Sequence, residues 1–311
     1  MTNMMATRDA YGEALKELGA INKDIVVLDA DLSGSTKTSV FKKAFPDRFF
    51  NVGIAEQNLI ATAAGLATAG KIPFASSFAV FATGRAYEII RNSVAYPKLN
   101  VKIAATHAGL TVGEDGASHQ ALEDISLMRS LPNMVVLCPA DAIEAKQCIF
   151  KAVDYDGPVY IRLGRSKVPV ILDENYEFEI GKGVQLREGK DVTIIATGVM
   201  VAKALEASDV LAKENISARV INISTIKPID KDIIIKAAKE TKGIVTVEEH
   251  NIIGGLGSAV AEVLVENYPT HMIRIGTRDT FGESGDANQL LDKYGLTVEN
   301  IVNKAKEILN R

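Results

Sequence analysis

Short runs of apolar, often β-branched residues alternate along this chain with longer amphipathic stretches. In the first half, the short runs predict strands at 25–30, 48–53, 72–78, 101–109, 134–140 and 158–164. The amphipathic stretches between them predict helices at 8–18, 56–69, 85–95 and 141–153. Strands that alternate with helices in this way are typical of an α/β fold with a mainly parallel sheet.

The second half repeats this alternation after a charged, irregular segment. Strands are predicted at 192–198, 218–224, 243–250 and 272–276, and the predicted helices include 259–267 and 298–310. A chain of 311 residues is long for one hydrophobic core, so two domains are expected. We predict an α/β protein with two doubly wound, mainly parallel-sheet domains, at 1–170 and 189–311, joined by a linker at 171–188.

The composition of the chain argues against some classes of binding partner. The chain has 35 basic and 39 acidic residues in a well-mixed order, for a formal net charge of −4, which argues against a nucleic-acid-binding surface. No stretch approaches the ~20 apolar residues that span a bilayer, and the N-terminus lacks an apolar signal core. The sequence therefore predicts a soluble, cytoplasmic protein that binds neither nucleic acid nor membrane.

Candidate chemical groups follow the predicted strands of the first half, where doubly wound folds bind their ligands. They comprise the loop at 31–35, Glu56, the loop from His107 to His119, and Arg165. The second of these loops carries two histidines together with Glu114 and Asp115, but it lacks HxH or HxxxH spacing. We therefore favour a loop that presents imidazoles and a carboxylate to a polar substrate over a metal site.

Several of these residues also have purely structural interpretations. A glutamate such as Glu56 in the first turn of a helix is favoured by the helix dipole alone. Phe78 and Phe81, which follow a predicted strand, fit an ordinary hydrophobic core. The segment EEHNIIGGLGS at 248–258 resembles a glycine-rich turn that can hold an anion at a helix N-terminus. It does not fit GxGxxG, so a tight turn without a ligand is the preferred interpretation.

Longer motifs resemble a known enzyme family. GIAEQNLIATAAGLATAGKIPFASSFAVF (53–81), THAGLTVGEDGASHQALEDISLMRSLPNMVVLCPAD (106–141) and DGPVYIRLGR (156–165) resemble the pyrimidine-binding domain of transketolases. EEHNIIGGLGSA and DTFGESG resemble their C-terminal domain. The resemblance covers nearly the whole chain, with several motifs in the right order. Deoxyxylulose-phosphate synthases and the beta subunits of 2-oxoacid dehydrogenases share this pair of domains.

The resemblance implies thiamine diphosphate as cofactor and assigns catalytic roles to Glu56 and His119. In the family, the glutamate matching Glu56 hydrogen-bonds N1′ of the aminopyrimidine and favours the imino tautomer that generates the reactive ylid. Phe78 and Phe81 match the aromatic residues that pack on this ring. A third aromatic is not clearly placed, because about two extra residues lie between Phe81 and His107, and Tyr87 is the candidate.

The remaining assignments concern the sugar substrate. Asp115 and His119 match residues that bind the hydroxyls of the donor. Four further residues match those that hold the substrate phosphate or line the channel to it: Arg8, Ser35, His107 and Arg165. Two arginines, an imidazole and a hydroxyl that converge would form a suitable clamp for a phosphate ester.

One family motif is missing from the chain. Transketolases bind the diphosphate and Mg²⁺ through GDG and an asparagine about 30 residues later, in an N-terminal domain. GEDG at 113–116 belongs to a different motif, and no suitable asparagine follows it. The resemblance thus implies the C-terminal subunit of a split transketolase, which transfers a two-carbon ketol unit between sugar phosphates. We expect activity only with an N-terminal subunit that carries GDG and the asparagine, in a heterotetramer of two plus two chains.

Two alternatives stay open. A deoxyxylulose-phosphate synthase-like half is one, although that family usually lacks the second phenylalanine of the pair and has arginine where His107 stands. A non-catalytic scaffold homologue is the other, and the presence of Glu56, Asp115, His119 and Arg165 together speaks against it. A 2-oxoacid dehydrogenase beta subunit is less favoured, because GEDGASHQ is not its pattern.

Overall fold

The strands of the chain form two main sheets in a computed structural model, which describes residues 3–310. The strands are β1 (Met4–Met5), β2 (Ile25–Asp29), β3 (Phe49–Asn51), β4 (Ile72–Ser76), β5 (Lys102–Ala105), β6 (Val135–Leu137), β7 (Val159–Arg162), β8 (Val168–Pro169), β9 (Val184–Arg187), β10 (Val192–Ala196), β11 (Ala218–Asn222), β12 (Thr225–Lys227), β13 (Ile244–Asn251) and β14 (Met272–Thr277).

Helices connect most of these strands. They are α1 (Thr7–Ile21), α2 (Ser33–Thr36), α3 (Ser39–Ala44), α4 (Glu56–Thr68), α5 (Tyr87–Ile89), α6 (Asp124–Ser130), α7 (Ala142–Asp154), α8 (Met200–Lys213), α9 (Lys231–Glu240), α10 (Leu256–Asn267), α11 (Ala287–Lys293) and α12 (Val298–Leu309). Short 3₁₀ helices occur at Pro46–Arg48 and Leu110–Asp115, and π-helical turns at Phe81–Arg85 and Ile90–Ala95. Within the described part of the chain, no helix is long and apolar enough to cross a membrane.

The larger sheet has the order β12-β6-β7-β5-β4-β2-β3. Its six strands from the first half run parallel, whereas β12 pairs with β6 in the antiparallel direction. Every residue of β2, β5 and β7 is buried, as expected for central parallel strands that are covered on both faces. The smaller sheet has the order β14-β13-β10-β11-β9 and is parallel except at its edge strand β9.

The predicted fold class is confirmed: both halves are α/β with mainly parallel sheets. The prediction of an irregular segment was wrong in one detail, and one strand pairing was not predicted. The segment 171–188 is not irregular throughout, because Val184–Arg187 forms the edge strand of the smaller sheet. Thr225–Lys227 from the second half joins the sheet of the first half. The division of the chain into 1–170 and 189–311 itself stays a prediction.

The two halves also share hydrophobic packing. One buried apolar cluster contains Ile103 and Tyr160 from the larger sheet together with Ile195 and Ile221 from the smaller one. Apolar side chains that pack across the boundary favour one fixed arrangement of the two sheets.

Candidate active site

The candidate residues lie where neighbouring parallel strands of the larger sheet end. Asp29 at the end of β2 is paired in register with Ser76 at the end of β4, and an isolated bridge joins Phe78 to Thr106 beyond them. The loops that follow these strands therefore meet at one edge of the sheet. The buried carboxylate of Asp29 fixes the first loop, since it accepts hydrogen bonds from Leu32 N at 2.6 Å and Thr36 Oγ1 at 2.7 Å.

Glu56 begins helix α4 and is almost completely buried, with 5% of its surface exposed. Its Oε1 atom lies 3.0 Å from Nη1 of Arg85, in an ion pair whose arginine side chain is 55% exposed. A cavity of about 380 Å³ opens beside this pair. Its walls include Asp31, Ile54, Glu56, Phe81, Arg85 and His119. A buried carboxylate thus faces a small, partly aromatic cavity.

Four rings form a continuous cluster next to this cavity. Phe78 stacks on His107 with 3.8 Å between ring centroids, and on Phe81 with 5.9 Å. His119 meets the Phe81 ring edge-on at 5.3 Å. Phe78 is buried and Phe81 is half-buried, so Phe81 presents an aromatic face to the cavity. This arrangement suits a flat heterocycle that stacks on Phe81.

His107 links the aromatic cluster to Arg8. Nη1 of Arg8 lies 3.2 Å from Nε2 of His107 and donates to the backbone oxygen of Ser35 at 3.0 Å. Burial, followed by the charge of Arg8, lowers the pKa of His107 to about 3. The ring is therefore neutral, and because arginine can only donate, Nε2 accepts and Nδ1 donates to Thr106 Oγ1 at 2.9 Å. In this arrangement His107 orients Arg8.

His107 also adopts a left-handed backbone conformation, with φ of 58°. Such a conformation is uncommon for residues other than glycine, and it is often found where a side chain is held for a function. Here it turns the ring between Phe78 and Arg8.

Arg8 and Arg165 line a second, larger cavity of about 580 Å³. Arg165 pairs with Glu114 at 2.8 Å and also donates to the backbone oxygen of Val112. Nε of Arg8 is buried and has no hydrogen-bond partner among the described residues. Two arginines on the walls of one cavity can bind an anionic group, which supports the expectation of a phosphate site.

The second half of the chain holds the loop that runs from His107 to His119. Ser284 Oγ donates to the backbone oxygen of Glu114 at 2.8 Å, and Gln120 Nε2 donates to that of Glu283 at 2.9 Å. A Cβ atom on Gly116, which has φ of 76°, would lie 2.5 Å from Ser284 Oγ. The two segments thus pack too closely to tolerate a side chain at Gly116.

The side chains of three predicted residues lie outside these contacts. Asp115 is exposed, and no contact within residues 3–310 joins its carboxylate to His119 or Glu56. Ser35 contacts Arg8 through its backbone oxygen rather than its hydroxyl. Tyr87 bonds with Ser130 at 3.0 Å and does not line the smaller cavity, so it supplies no third aromatic wall there.

Arg85 was not predicted from the sequence. It ends the π-helical turn Phe81–Arg85, and its backbone oxygen accepts a hydrogen bond from Gln57 at 3.3 Å. A π-turn accommodates one extra residue within a helix, and two such turns lie between Phe81 and His107. The sequence signal for these turns was the two extra residues between Phe81 and His107. It could have drawn attention to Arg85, which ends the first turn.

The glycine-rich segment of the second half binds a carboxylate of the chain itself. Glu248 accepts hydrogen bonds from Leu256 N at 2.7 Å and Gly257 N at 2.8 Å, at the N-terminus of α10. The pKa of Glu248 is raised to about 7 because the group is buried. A carboxyl group of the chain itself thus occupies this helix terminus, which supports the interpretation of a turn without a ligand.

Comparisons with known proteins identify the family. A model of the transketolase pyrimidine-binding domain matches residues 3–170, and a model of the transketolase C-terminal domain matches residues 181–301. The chain belongs to the transketolase family. A Methanocaldococcus jannaschii protein that bears the name of a transketolase C-terminal section is 56% identical over 307 residues, which is 98% of this chain and 96% of the relative.

Other transketolase relatives match nearly all of this chain, and the match covers from about half to nearly all of their own length. A 6-deoxy-6-sulfo-D-fructose transketolase subunit from a Clostridium species is 45% identical, covering 98% of this chain and 94% of the relative. A solved structure titled as a split gene transketolase, inactive beta4 tetramer, superposes with a TM-score of 0.93 at 60% identity. It covers 98% of this chain and 99% of that one. The Campylobacter jejuni transketolase matches with a TM-score of 0.84 at 25% identity, covering 98% of this chain and 47% of that one.

The described residues fit one part of the transketolase cofactor. A buried carboxylate beside a half-buried aromatic ring can hold an aminopyrimidine ring by hydrogen bonding and stacking. For a metal-bound diphosphate the fit is poor, since residues 3–310 contain no cluster of three or more His, Cys, Asp or Glu side chains able to hold a metal ion.

Proposed function

We propose that this chain is the C-terminal subunit of a split, thiamine-diphosphate-dependent transketolase. The observation that carries the proposal is the placement of Glu56, Phe81 and His119 on the walls of one cavity. The family likeness assigns these three residues to the cofactor ring and the sugar donor. The reaction is the transfer of a two-carbon ketol unit from a ketose phosphate to an aldose phosphate.

Each residue would act on a different part of the bound molecules. When bound, thiamine diphosphate supplies the carbon nucleophile that cleaves the ketose. The Glu56 carboxylate holds the proton at N1′ of the aminopyrimidine, and its burial keeps water from competing for that hydrogen bond. Phe78 and Phe81 fix the plane of the ring. His119 and Asp115 bind the hydroxyls of the donor, for which Asp115 must turn inward from its exposed position.

The substrate phosphate would bind in the larger cavity, between Arg8 and Arg165. In this proposal His107 and the backbone oxygen of Ser35 position Arg8 rather than contact the phosphate. The names of two relatives support a terminal anion on the sugar, since one mentions 6-deoxy-6-sulfo-D-fructose and another apulose-4-phosphate. Arginine suits both phosphate and sulfonate because its two parallel N–H groups match a pair of anionic oxygens.

The partner would be an N-terminal subunit that carries GDG and a downstream asparagine and holds the diphosphate with Mg²⁺. We infer a heterotetramer of two plus two chains in the cytoplasm, with residues 1–170 and 189–311 as the two domains of this subunit. Two features support the need for a partner. Residues 3–310 contain no metal-ligand cluster, and the similar split gene transketolase structure is described as an inactive beta4 tetramer.

Reconstitution tests the proposal. The chain is mixed with the N-terminal subunit, Mg²⁺ and thiamine diphosphate, and transfer from xylulose 5-phosphate to ribose 5-phosphate is measured. We expect activity from the mixture and none from either chain alone. Full activity of this chain alone would refute the split arrangement. Condensation of pyruvate with glyceraldehyde 3-phosphate would favour a deoxyxylulose-phosphate synthase-like half, and a mixture that binds no thiamine diphosphate would favour a scaffold.

A further inference from the structure

Arg85 makes the two contacts that a pyrimidine ring would need in the smaller cavity. Its Nη1 lies 3.0 Å from Glu56 Oε1, and its guanidinium carbon lies 4.3 Å from the centroid of the Phe81 ring. One planar cation is therefore hydrogen-bonded to the buried carboxylate and lies over the aromatic ring. All three residues line the same cavity.

The chemistry of the guanidinium matches that of a protonated aminopyrimidine. Both groups are flat, positively charged, and able to donate N–H hydrogen bonds to a carboxylate while stacking on a ring. A cofactor that uses the Glu56 carboxylate and the Phe81 face must take over positions that Arg85 holds. Resting on the proposed function, we propose that Arg85 is an internal competitor of the cofactor's pyrimidine ring and swings out when thiamine diphosphate binds.

The surroundings allow the Arg85 side chain to move, whereas the Glu56 side chain is fixed. The Arg85 side chain is 55% exposed, so the guanidinium can move into water at small cost, whereas the Glu56 side chain is 6% exposed and stays in place. The backbone of Arg85 is held separately, through its hydrogen bond from Gln57. The side chain can therefore leave without unwinding the π-helical turn Phe81–Arg85.

Arg85 also has a role in the free chain. A buried carboxylate without a charged partner is costly. Arg85 supplies that partner, since the ion pair with Glu56 is present without any cofactor. Arg85 therefore stabilises the free chain. It weakens cofactor binding for the same reason, because the ion pair with Glu56 must break before the ring can bind.

Calorimetric titration of thiamine diphosphate into the complex of both subunits, at saturating Mg²⁺, measures the competition. We expect Arg85→Ala to bind the cofactor about five-fold more tightly, the effect of an ion pair with one exposed partner. Arg85→Lys keeps the charge but loses the flat face, so it should fall between Arg85→Ala and the wild type. Arg91→Ala is the matched control, because the Arg91 guanidinium bonds with Asn92 away from the cavity. Its affinity should equal that of the wild type.

Thermal unfolding gives the second readout. Arg85→Ala should lower the Tm of the free chain by about 2–4 °C. It should not lower the Tm of the cofactor-loaded complex. A lower Tm in both states, or a cofactor affinity of Arg85→Ala that is equal to or weaker than wild type, would overturn the competition while leaving the proposed function intact. A wild-type complex that binds no thiamine diphosphate would refute both.

Discussion

Arg162 of the larger sheet donates a hydrogen bond to the smaller one, and a single oxygen of Asp124 holds Arg162 in place. Changing Asp124 to asparagine tests how firmly the two halves are held. Oδ2 of Asp124 accepts from Arg162 Nε at 2.8 Å and from Tyr160 OH at 2.6 Å. Arg162 in turn donates to the backbone oxygens of Ala121 and of Glu249, which belongs to β13. The Asp124 and Arg162 side chains are 0% and 6% exposed.

The expected loss is large because Asp124→Asn keeps the shape of the side chain and removes only its charge. Arg162 is then left as a buried cation without its counter-ion, and breaking a buried pair in this way costs about 3–5 kcal/mol. Glu17→Gln is the matched control: it breaks the ion pair with Lys146, whose side chains are both nearly half exposed. That change should cost less than about 1 kcal/mol.

Urea denaturation followed by circular dichroism measures both losses, since the chain has no tryptophan for fluorescence. The double variant Asp124→Leu with Arg162→Met should recover much of the stability, because it removes both charges instead of one. If Asp124→Asn lowered the free energy of unfolding no more than Glu17→Gln does, the ion pair of Asp124 with Arg162 would not stabilise the fold and the reasoning would be wrong.

Three further predictions concern catalysis and pH. Glu56→Ala should lower the turnover of the reconstituted enzyme by about 10²–10⁴ with an unchanged circular dichroism spectrum, and retention of more than about a tenth of the rate would contradict its role. Arg165→Ala should raise the KM for a ketose phosphate about tenfold, the effect of one lost charge-assisted hydrogen bond. Hydroxypyruvate, which has no phosphate, should be unaffected in steady-state kinetics. Lys102 is buried, its Nζ donates to the oxygens of Tyr155 and Gly157, and burial lowers its pKa to about 7 from 10.5. The unfolded chain then binds more protons, so wild-type stability should rise between about pH 7 and pH 10.5, and Lys102→Met should lose this slope in urea denaturation at several pH values.

The central strands were predictable from the sequence because buried parallel strands are continuous apolar runs. β2, β7 and β10 match the predicted segments to within a few residues. β12 was not predictable: it has only three residues, and it pairs with β6, which lies about 90 positions earlier. Pairing over such a distance depends on tertiary packing, which leaves no periodic pattern in the sequence.

The candidate site was predictable in its residues but not in its contacts. Motif likeness placed Glu56 and Phe81 in one site, and the structure brings them to one cavity. Arg85 escaped notice because its importance comes from a π-helical turn, which shifts the side chain around the helix without leaving a distinctive composition. The larger cavity also includes Lys203 and Asn288 from the second half, which no strand-end argument could assign to it.

The strand β12 has a consequence for cutting the chain. A protein that ended at residue 170 would lack β12 and would expose the unpaired backbone edge of β6. An exposed strand edge can pair with other chains and cause aggregation. The remainder would keep a strand with no sheet to join. A protease cut within 171–188 should therefore yield two fragments that stay bound to each other in size-exclusion chromatography. Neither half should fold stably when it is produced alone.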